Sequence, residues 1–298
     1  MPRVSIEGLR FYYQQSGAGP DVVLLHGVSG NMAIWPLINL MPTLATDFRV
    51  TAYDLRGHGY SDTPPSGYTS ADMAGDLVKI QQALGLGPMY VLGHSFGGVI
   101  ALHAAVLYPG SIAGLILSDP YFPALRHLER HIGQWSGWQE YKEQANRAGL
   151  EVTEEDWFDV GLLFKQAAQL PPERQKRFRN ELGLAALERL TRLAATTCGD
   201  DVKAVAGLTE ERIRSVQHPT IALYGEHSPF LATCRYLAEN LAHCRAILVP
   251  NAKHRAHEEN PSAYVALVQK HLREMAYGSP VSGAPKGETC RRCQRLRS

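Results

Sequence analysis

Short apolar runs punctuate the chain. Arg3–Ile6 and Leu9–Gln15 predict a short strand pair around Glu7-Gly8. Asp21–Leu25 (DVVLL), Phe48–Tyr53 (FRVTAY), Met89–Leu92 (MYVL) and Ile112–Leu117 (IAGLIL) follow. Two more, Thr220–Tyr224 (TIALY) and Arg245–Val249 (RAILV), come much later. Runs of this length without polar alternation mark strands covered on both faces, as in a parallel sheet. Between them the period changes. Asp72–Leu84 places Met73, Leu77, Ile80 and Leu84 at steps of three and four, which predicts a helix. Gly97–Leu107, Ala232–Leu241 and Pro261–Met275 predict further helices, the last with Asn260 as N-cap and Pro261 at its first position. Strands alternating with helices predict an α/β fold.

The alternation stops between Tyr121 and Gln217. This stretch is rich in Leu, Ala, Gln, Glu and Arg, holds Trp135, Trp138 and Trp157, and has no strand pattern. It reads as helices inserted between two strands. An insertion at the C-terminal edge of a parallel sheet is where a lid over a site belongs. The expected organisation is an α/β core from residues 1–120 and 218–276, a helical cap over 121–217 and a flexible basic tail over 277–298.

Composition narrows the class. Hydrophobic residues make up 45% and charged residues 20%, which excludes a disordered or collagen-like chain. The net charge of +1 provides no global field for nucleic acid or an anionic membrane. It is unevenly spread. Residues 279–298 carry Lys286, Arg291, Arg292, Arg295 and Arg297 against Glu288, a local +4, which leaves +1 − 4 = −3 elsewhere. The five cysteines are odd in number and scattered, which argues against a disulfide framework. Cys290 and Cys293 form a lone C-x-x-C. A structural zinc site needs a second pair or nearby histidines, so no metal is expected. Ile80–Ser118 lacks Asp, Glu, Lys and Arg over a length that suits a membrane span, but Gly85, Gly87, Pro88, Gly93, Gly97, Gly98, Pro109 and Gly110 break it into short pieces. Met1–Tyr13 has no apolar core of a signal peptide. The expectation is a soluble cytoplasmic protein without a nucleic-acid or membrane partner; the pattern leaves its oligomeric state open.

Gly93-His94-Ser95-Phe96-Gly97 fits G-x-S-x-G directly after a strand pattern and directly before a helix pattern. That context is what a nucleophile elbow needs: a serine on a strained strand-to-helix turn, with the helix N-terminus behind it to receive an oxyanion. Here the chain resembles the α/β-hydrolase superfamily, over about residues 4–275. The matches are His26-Gly27 after the third run, Asp54-Leu-Arg56-Gly57-His58-Gly59-Tyr60-Ser61 after the fourth, the elbow at Ser95 and His254 after the last. The resemblance implies a mostly parallel eight-stranded sheet with a helical cap inserted after the sixth strand. It implies Ser95 as nucleophile, no cofactor, and an oxyanion hole from the N–H groups of Val28 and Phe96.

The family pattern around the base, P-x-x-G-H-x-x-H-x-E-x-P, reads here Pro250-Asn-Ala-Lys253-His254-Arg-Ala-His257-Glu-Glu-Asn260-Pro261, with Lys253 in place of the glycine. This assigns His254 as base and His257 to a structural role. His26, His58 and His94 fall in loops with structural explanations, and His243 and His271 on peripheral helices. The acid departs from the pattern. The position that usually holds Asp after the seventh strand is Ser228, in Tyr224-Gly225-Glu226-His227-Ser228-Pro229. Serine cannot stabilise an imidazolium as a carboxylate does. Three readings remain: Asp119, just past the sixth strand; Glu226; or a Ser–His dyad or a chain that does not hydrolyse.

With Ser95, His254 and Asp119 as the triad, the expected enzyme is a serine hydrolase that cleaves a carboxylic ester or lactone through an acyl-enzyme. Hydrolysis of a carbon–carbon bond or thioester uses the same constellation. A receptor, or a lyase or cyclase on the same fold, is the non-hydrolytic rival. Trp135, Trp138, Trp157, Phe158 and Phe164 suit a bulky apolar substrate, such as a natural-product ester or macrolactone inactivated by detoxification.

Overall fold

The computed structural model describes residues 2–129, 132–157, 159–182 and 184–278. Its strands are β1 (Arg3–Ile6), β2 (Leu9–Ser16), β3 (Asp21–Leu25), β4 (Arg49–Tyr53), β5 (Met89–His94), β6 (Ile112–Ser118), β7 (Thr220–Gly225) and β8 (Cys244–Val249). They form one sheet in the order β1-β2-β4-β3-β5-β6-β7-β8. β2 pairs antiparallel with β1 and β4, and every pairing from β4 to β8 is parallel. This is the α/β-hydrolase fold that the resemblance implies.

The apolar runs lack alternation because both faces of the sheet are covered. Val23, Leu25, Val91, Leu115, Leu117, Ala222 and Tyr224 face one core. Their neighbours Val22, Leu24, Leu92, Ile116, Ile221 and Leu223 face the other. The period of two sorts each strand between two cores, and each fully buried Leu or Val contributes about 1.5–3 kcal/mol. Short helices α1 (Ile34–Leu37) and α2 (Leu40–Leu44), together with α13 (Pro261–Tyr277), flank one face; α3 (Ser70–Ala83), α4 (Phe96–Leu107) and α11 (Leu231–Asn240) flank the other. A one-turn helix, α12 (Ala256–Glu259), precedes α13. Thr69 caps α3 in a reciprocal capping box with Asp72.

Between β6 and β7 the described residues form no strand. They form α5 (Trp138–Arg147), α6 (Val160–Ala168), α7 (Pro172–Leu182), α8 (Leu184–Ala194), α9 (Cys198–Asp201) and α10 (Glu210–Arg214). Ile132, Trp138, Leu150, Leu170, Phe178 and Leu187 give these helices a small core of their own. They are tied to the loop after β4, where Asp201 accepts from Tyr68 N–H at 2.9 Å and Thr197 N–H donates to Pro65 O at 3.0 Å.

α13 extends to Tyr277, so the first predicted tail residue is helical. Residues 279–298, with Cys290 and Cys293, lie outside the described residues, as does Phe158. His243 sits in a turn before β8 rather than on a helix. The charge-free stretch 80–118 divides into the end of α3, β5, α4 and β6. No helix among the described residues is long and apolar enough to cross a membrane.

Candidate active site

The order of the sheet positions the site. β3 lies between β4 and β5, so the chain turns from one side of the sheet to the other there. Open α/β sheets bind ligands at such a switch point, beyond the carboxyl ends of the strands. Register completes the placement. Leu25 pairs with Gly93, and His94 with Ser118, so the residues that follow, His26, Ser95 and Asp119, emerge at one edge.

Ser95 occupies φ 52°, ψ −121° between β5 and α4. A non-glycine residue held there stores about 1–3 kcal/mol of strain. Only glycines fit around it. A Cβ on Gly93 would lie 2.2 Å from Gly97 O, and one on Gly97 would lie 2.7 Å from the carbonyls of Leu25 and His26. The Ser95 side chain is half-buried, and its Oγ has no hydrogen-bond partner among the described residues. In unliganded enzymes the nucleophile–base bond is often loose and tightens only with substrate.

The turn after β3 lies against the elbow. A Cβ on Gly27 would come 3.1 Å from Ser95 Cβ. Gly30 N–H closes the turn on Gly27 O at 3.0 Å, and Ser29 N–H donates to His58 Nε2 at 3.0 Å. The N–H groups of Val28 and of Phe96, the first residue of α4, make no hydrogen bond among the described residues. Two unused donors thus flank the serine, as an oxyanion hole requires.

His254 and Asp119 meet across the sheet edge. His254 Nδ1 is 2.9 Å from Asp119 Oδ1. An ionised carboxylate only accepts, so Nδ1 carries the proton and Nε2 keeps its lone pair. Asp119 is fully buried and takes φ 53°, a conformation Asp tolerates better than most residues. Ser228 Oγ donates to the same Oδ1 at 2.7 Å, and Gly225 N–H donates to Oδ2 at 2.8 Å. The serine at the usual acid position therefore supports a carboxylate that comes from the neighbouring strand. Glu226 turns elsewhere: its Oε2 accepts from Asn251 N–H at 3.1 Å.

His94 joins the elbow to the His254 loop. Its Nε2 donates to the carbonyl of His254 at 3.0 Å, and the two rings are 5.0 Å apart. His257 packs 4.3 Å from His94, buried beneath it. His26 and His58 frame the turn after β3. His26 accepts from Leu55 N–H at 3.1 Å and donates to Gly27 O at 2.8 Å. His58 Nδ1 donates to Arg56 O at 2.7 Å. Burial pushes the His26 pKa down to about 4 and that of His58 down to about 3.

These shifts carry a prediction. The unfolded chain takes up protons below about pH 6.5, whereas folded His26 and His58 stay neutral. Their stabilisation is complete above that pH and is lost as pH falls toward the folded values. Between pH 6.5 and 5 the two together should cost about 3 kcal/mol. Urea midpoints measured across this window should fall. A flat profile would show that neither histidine is held neutral.

Aromatic rings wall His254. Phe230 stands edge-on to His254 at 5.2 Å, stacks on Trp157 at 5.3 Å and packs on Tyr121 at 5.5 Å. Lys253, in place of the usual glycine, forms an ion pair with Glu140 of α5, and Trp135 Nε1 donates to His227 O at 2.7 Å. The inserted helices are thus fastened to the loops that follow β7 and β8. Sequence reading missed Phe230, and noted Ser228 and Lys253 only as departures from the family pattern.

A family model described as alpha/beta hydrolase fold matches residues 20–261, and the chain belongs to that family. It is 27% identical over 271 residues to 2-(acetamidomethylene)succinate hydrolase of Mesorhizobium japonicum, covering 87% of this chain and 90% of the relative. Among solved structures it resembles Est816, described as an N-acyl homoserine lactone degrading enzyme, with TM-score 0.65 and 24% identity over 90% of this chain and 99% of that one. The enol-lactonase from Burkholderia xenovorans LB400 matches with TM-score 0.65 and 20% identity, over 92% and 100% of the two chains.

Proposed function

We propose that the protein is a serine hydrolase that opens a carboxylic ester or lactone. The observation that carries this reading is the 2.9 Å contact between His254 and buried Asp119 beside the strained elbow at Ser95. Ser95 Oγ attacks the carbonyl carbon while His254 Nε2 takes its proton. Asp119 stabilises the imidazolium that forms. The oxyanion receives hydrogen bonds from Val28 and Phe96 N–H. His254 then protonates the leaving alkoxide, and water, activated by the same histidine, releases the acid from the acyl-enzyme. Helices α5–α10 act as a cap over the small-molecule substrate. The bulky natural-product reading is weakened by where the aromatics lie. Trp138 and Phe164 are each 2% exposed and offer no surface to a ligand, and Trp157 stacks on Phe230. Two proteins with this fold, the lactone-degrading enzyme and the enol-lactonase named above, act on lactones.

The test is covalent labelling. A fluorophosphonate should modify one serine stoichiometrically, and peptide mass mapping should place the adduct on Ser95. p-Nitrophenyl acetate should give a burst of one equivalent of nitrophenolate. Absence of both adduct and burst in folded protein would refute the reading.

A further inference from the structure

Helix α8 carries two arginines that form no ion pair with any described residue. Arg189 and Arg192 stand three residues apart and so lie on one helix face, beside the stripe of Leu187, Leu190 and Leu193 that packs inward. Leu193 reaches the loop after β4, where its Cδ2 lies 3.0 Å from a Cβ built on Gly57. Arg192, the residue before it, is close enough for its charge to act on Asp54, His58 and Tyr68. The charge of Arg189 acts on His26, at the start of the oxyanion turn. Arg255, next to the base, acts on both Arg189 and His94. Helix α8 thus borders the loop whose His58 accepts from Ser29 N–H in the turn beside Ser95.

Their pairing is unusual. Arg255 has its own acid in Glu258, and Asp54 is occupied by the N–H groups of Met32 and Tyr60. Arg189 and Arg192 form no ion pair and donate no hydrogen bond among the described residues, and the Nε atom of each is buried without an acceptor. Burial and the two neighbouring arginines push the Arg189 pKa down. A buried N–H without an acceptor is costly, and like charges at this helical spacing repel. An anion between them would relieve both. The planar guanidinium fork matches a carboxylate, and such charge-assisted bonds are among the stronger ones in proteins.

We propose that the substrate carries a carboxylate in addition to the acyl bond that Ser95 attacks, and that Arg189 and Arg192 hold that carboxylate. The inference rests on the serine-hydrolase reading for the position of the reacting carbonyl, but the anion site is testable without it. The first arm measures binding by thermal shift and calorimetry, with succinate, glutarate and adipate, their dimethyl esters and inorganic phosphate as probes. At least one dicarboxylate should raise the Tm, its dimethyl ester should not, and the double change Arg189→Gln plus Arg192→Gln should abolish the effect. The second arm compares mono-p-nitrophenyl esters of the same diacids with their methyl p-nitrophenyl diesters. The anionic ester of the best length should be favoured in kcat/KM by about tenfold or more, and the double change should reduce that ratio by about 10- to 100-fold.

If the double variant does not fold, the wild-type preference decides alone. Dicarboxylate binding that depends on the arginines, without turnover of any ester, would sustain the anion site and overturn the hydrolase reading. Turnover of neutral and anionic esters at equal efficiency, with no dicarboxylate binding, would overturn the anion site and leave the hydrolase reading standing. Binding of phosphate with none of the dicarboxylates would overturn the carboxylate assignment. Failure of both arms overturns both.

Discussion

Ser95→Ala should lower ester turnover by about six orders of magnitude and leave stability within about 0.5 kcal/mol of wild type. The two halves of this expectation have separate causes. The hydroxyl makes no hydrogen bond among the described residues, so its removal leaves no partner unsatisfied. Alanine takes the same positive φ with the same Cβ, so the strain of the elbow is neither relieved nor increased. What disappears is the nucleophile. The unused N–H groups of Val28 and Phe96 remain, and such donors with binding alone can still give roughly 10³–10⁴-fold over water. His254→Ala should cost about as much as Ser95→Ala, and the double variant little more, because base and nucleophile act as one unit. Single-turnover rates with a p-nitrophenyl ester, read beside thermal melts of each variant, provide the measurement. Retention of most of the rate in Ser95→Ala would end the proposal that an acyl-enzyme forms there.

The central strands, β3 to β7, were legible because they are buried on both faces and so stand out as unbroken apolar runs. Each run predicted from pattern alone is a strand of the structure, with ends shifted by at most two residues. Helices with a full apolar stripe, such as Ser70–Ala83, were legible for the same reason. Ile34–Leu37 and Leu40–Leu44 were not. Each is about one turn long and carries an internal proline, Pro36 or Pro42, so no 3.6-residue period develops. The elbow was readable because its chemistry is local: the glycines, the serine and the following helix are contiguous. The carboxylate partner of His254 was left among alternatives because its position depends on register. The pairing of His94 with Ser118 sets Asp119 beside Ser95, and strand register between distant segments is not written in either segment. The part of Ser228 was hidden by the same cause. Its lack of charge drew notice, whereas its hydroxyl, 2.7 Å from Asp119, belongs to a contact between β6 and β7 loops. Arg189 and Arg192 read as ordinary polar positions of a helix, since lacking a counter-ion is a property of the folded surroundings.

Asp119→Asn should lower kcat by about four orders of magnitude, the size of the same change in a serine protease, with a loss of stability below about 2 kcal/mol. The geometry fixes how the amide must sit. Gly225 N–H points at one oxygen of Asp119 from 2.8 Å, in a fully buried site. Turning the NH₂ of Asn toward it would face donor against donor, at about 1–3 kcal/mol. The amide oxygen therefore takes the glycine, and the NH₂ faces Ser228 and His254. The hydroxyl of Ser228 can rotate to accept, so the fold survives. His254 must also accept at Nδ1, which moves its proton to Nε2 and removes the lone pair that Ser95 needs. No negative charge is left to stabilise an imidazolium. Ser228→Ala keeps the carboxylate and removes one of its donors, so it should cost far less than Asp119→Asn. Glu226→Gln should leave kcat near wild type, because that carboxylate binds Asn251 N–H. Adding Ser228→Asp to Asp119→Asn should restore part of the rate, since a carboxylate introduced there stands within a hydrogen-bond length of the lost one. Stopped-flow kcat values for the series, with melts to show that each variant is folded, decide the matter. A near-normal kcat in Asp119→Asn beside a collapse in Glu226→Gln would move the acid to the loop after β7 and overturn the assignment.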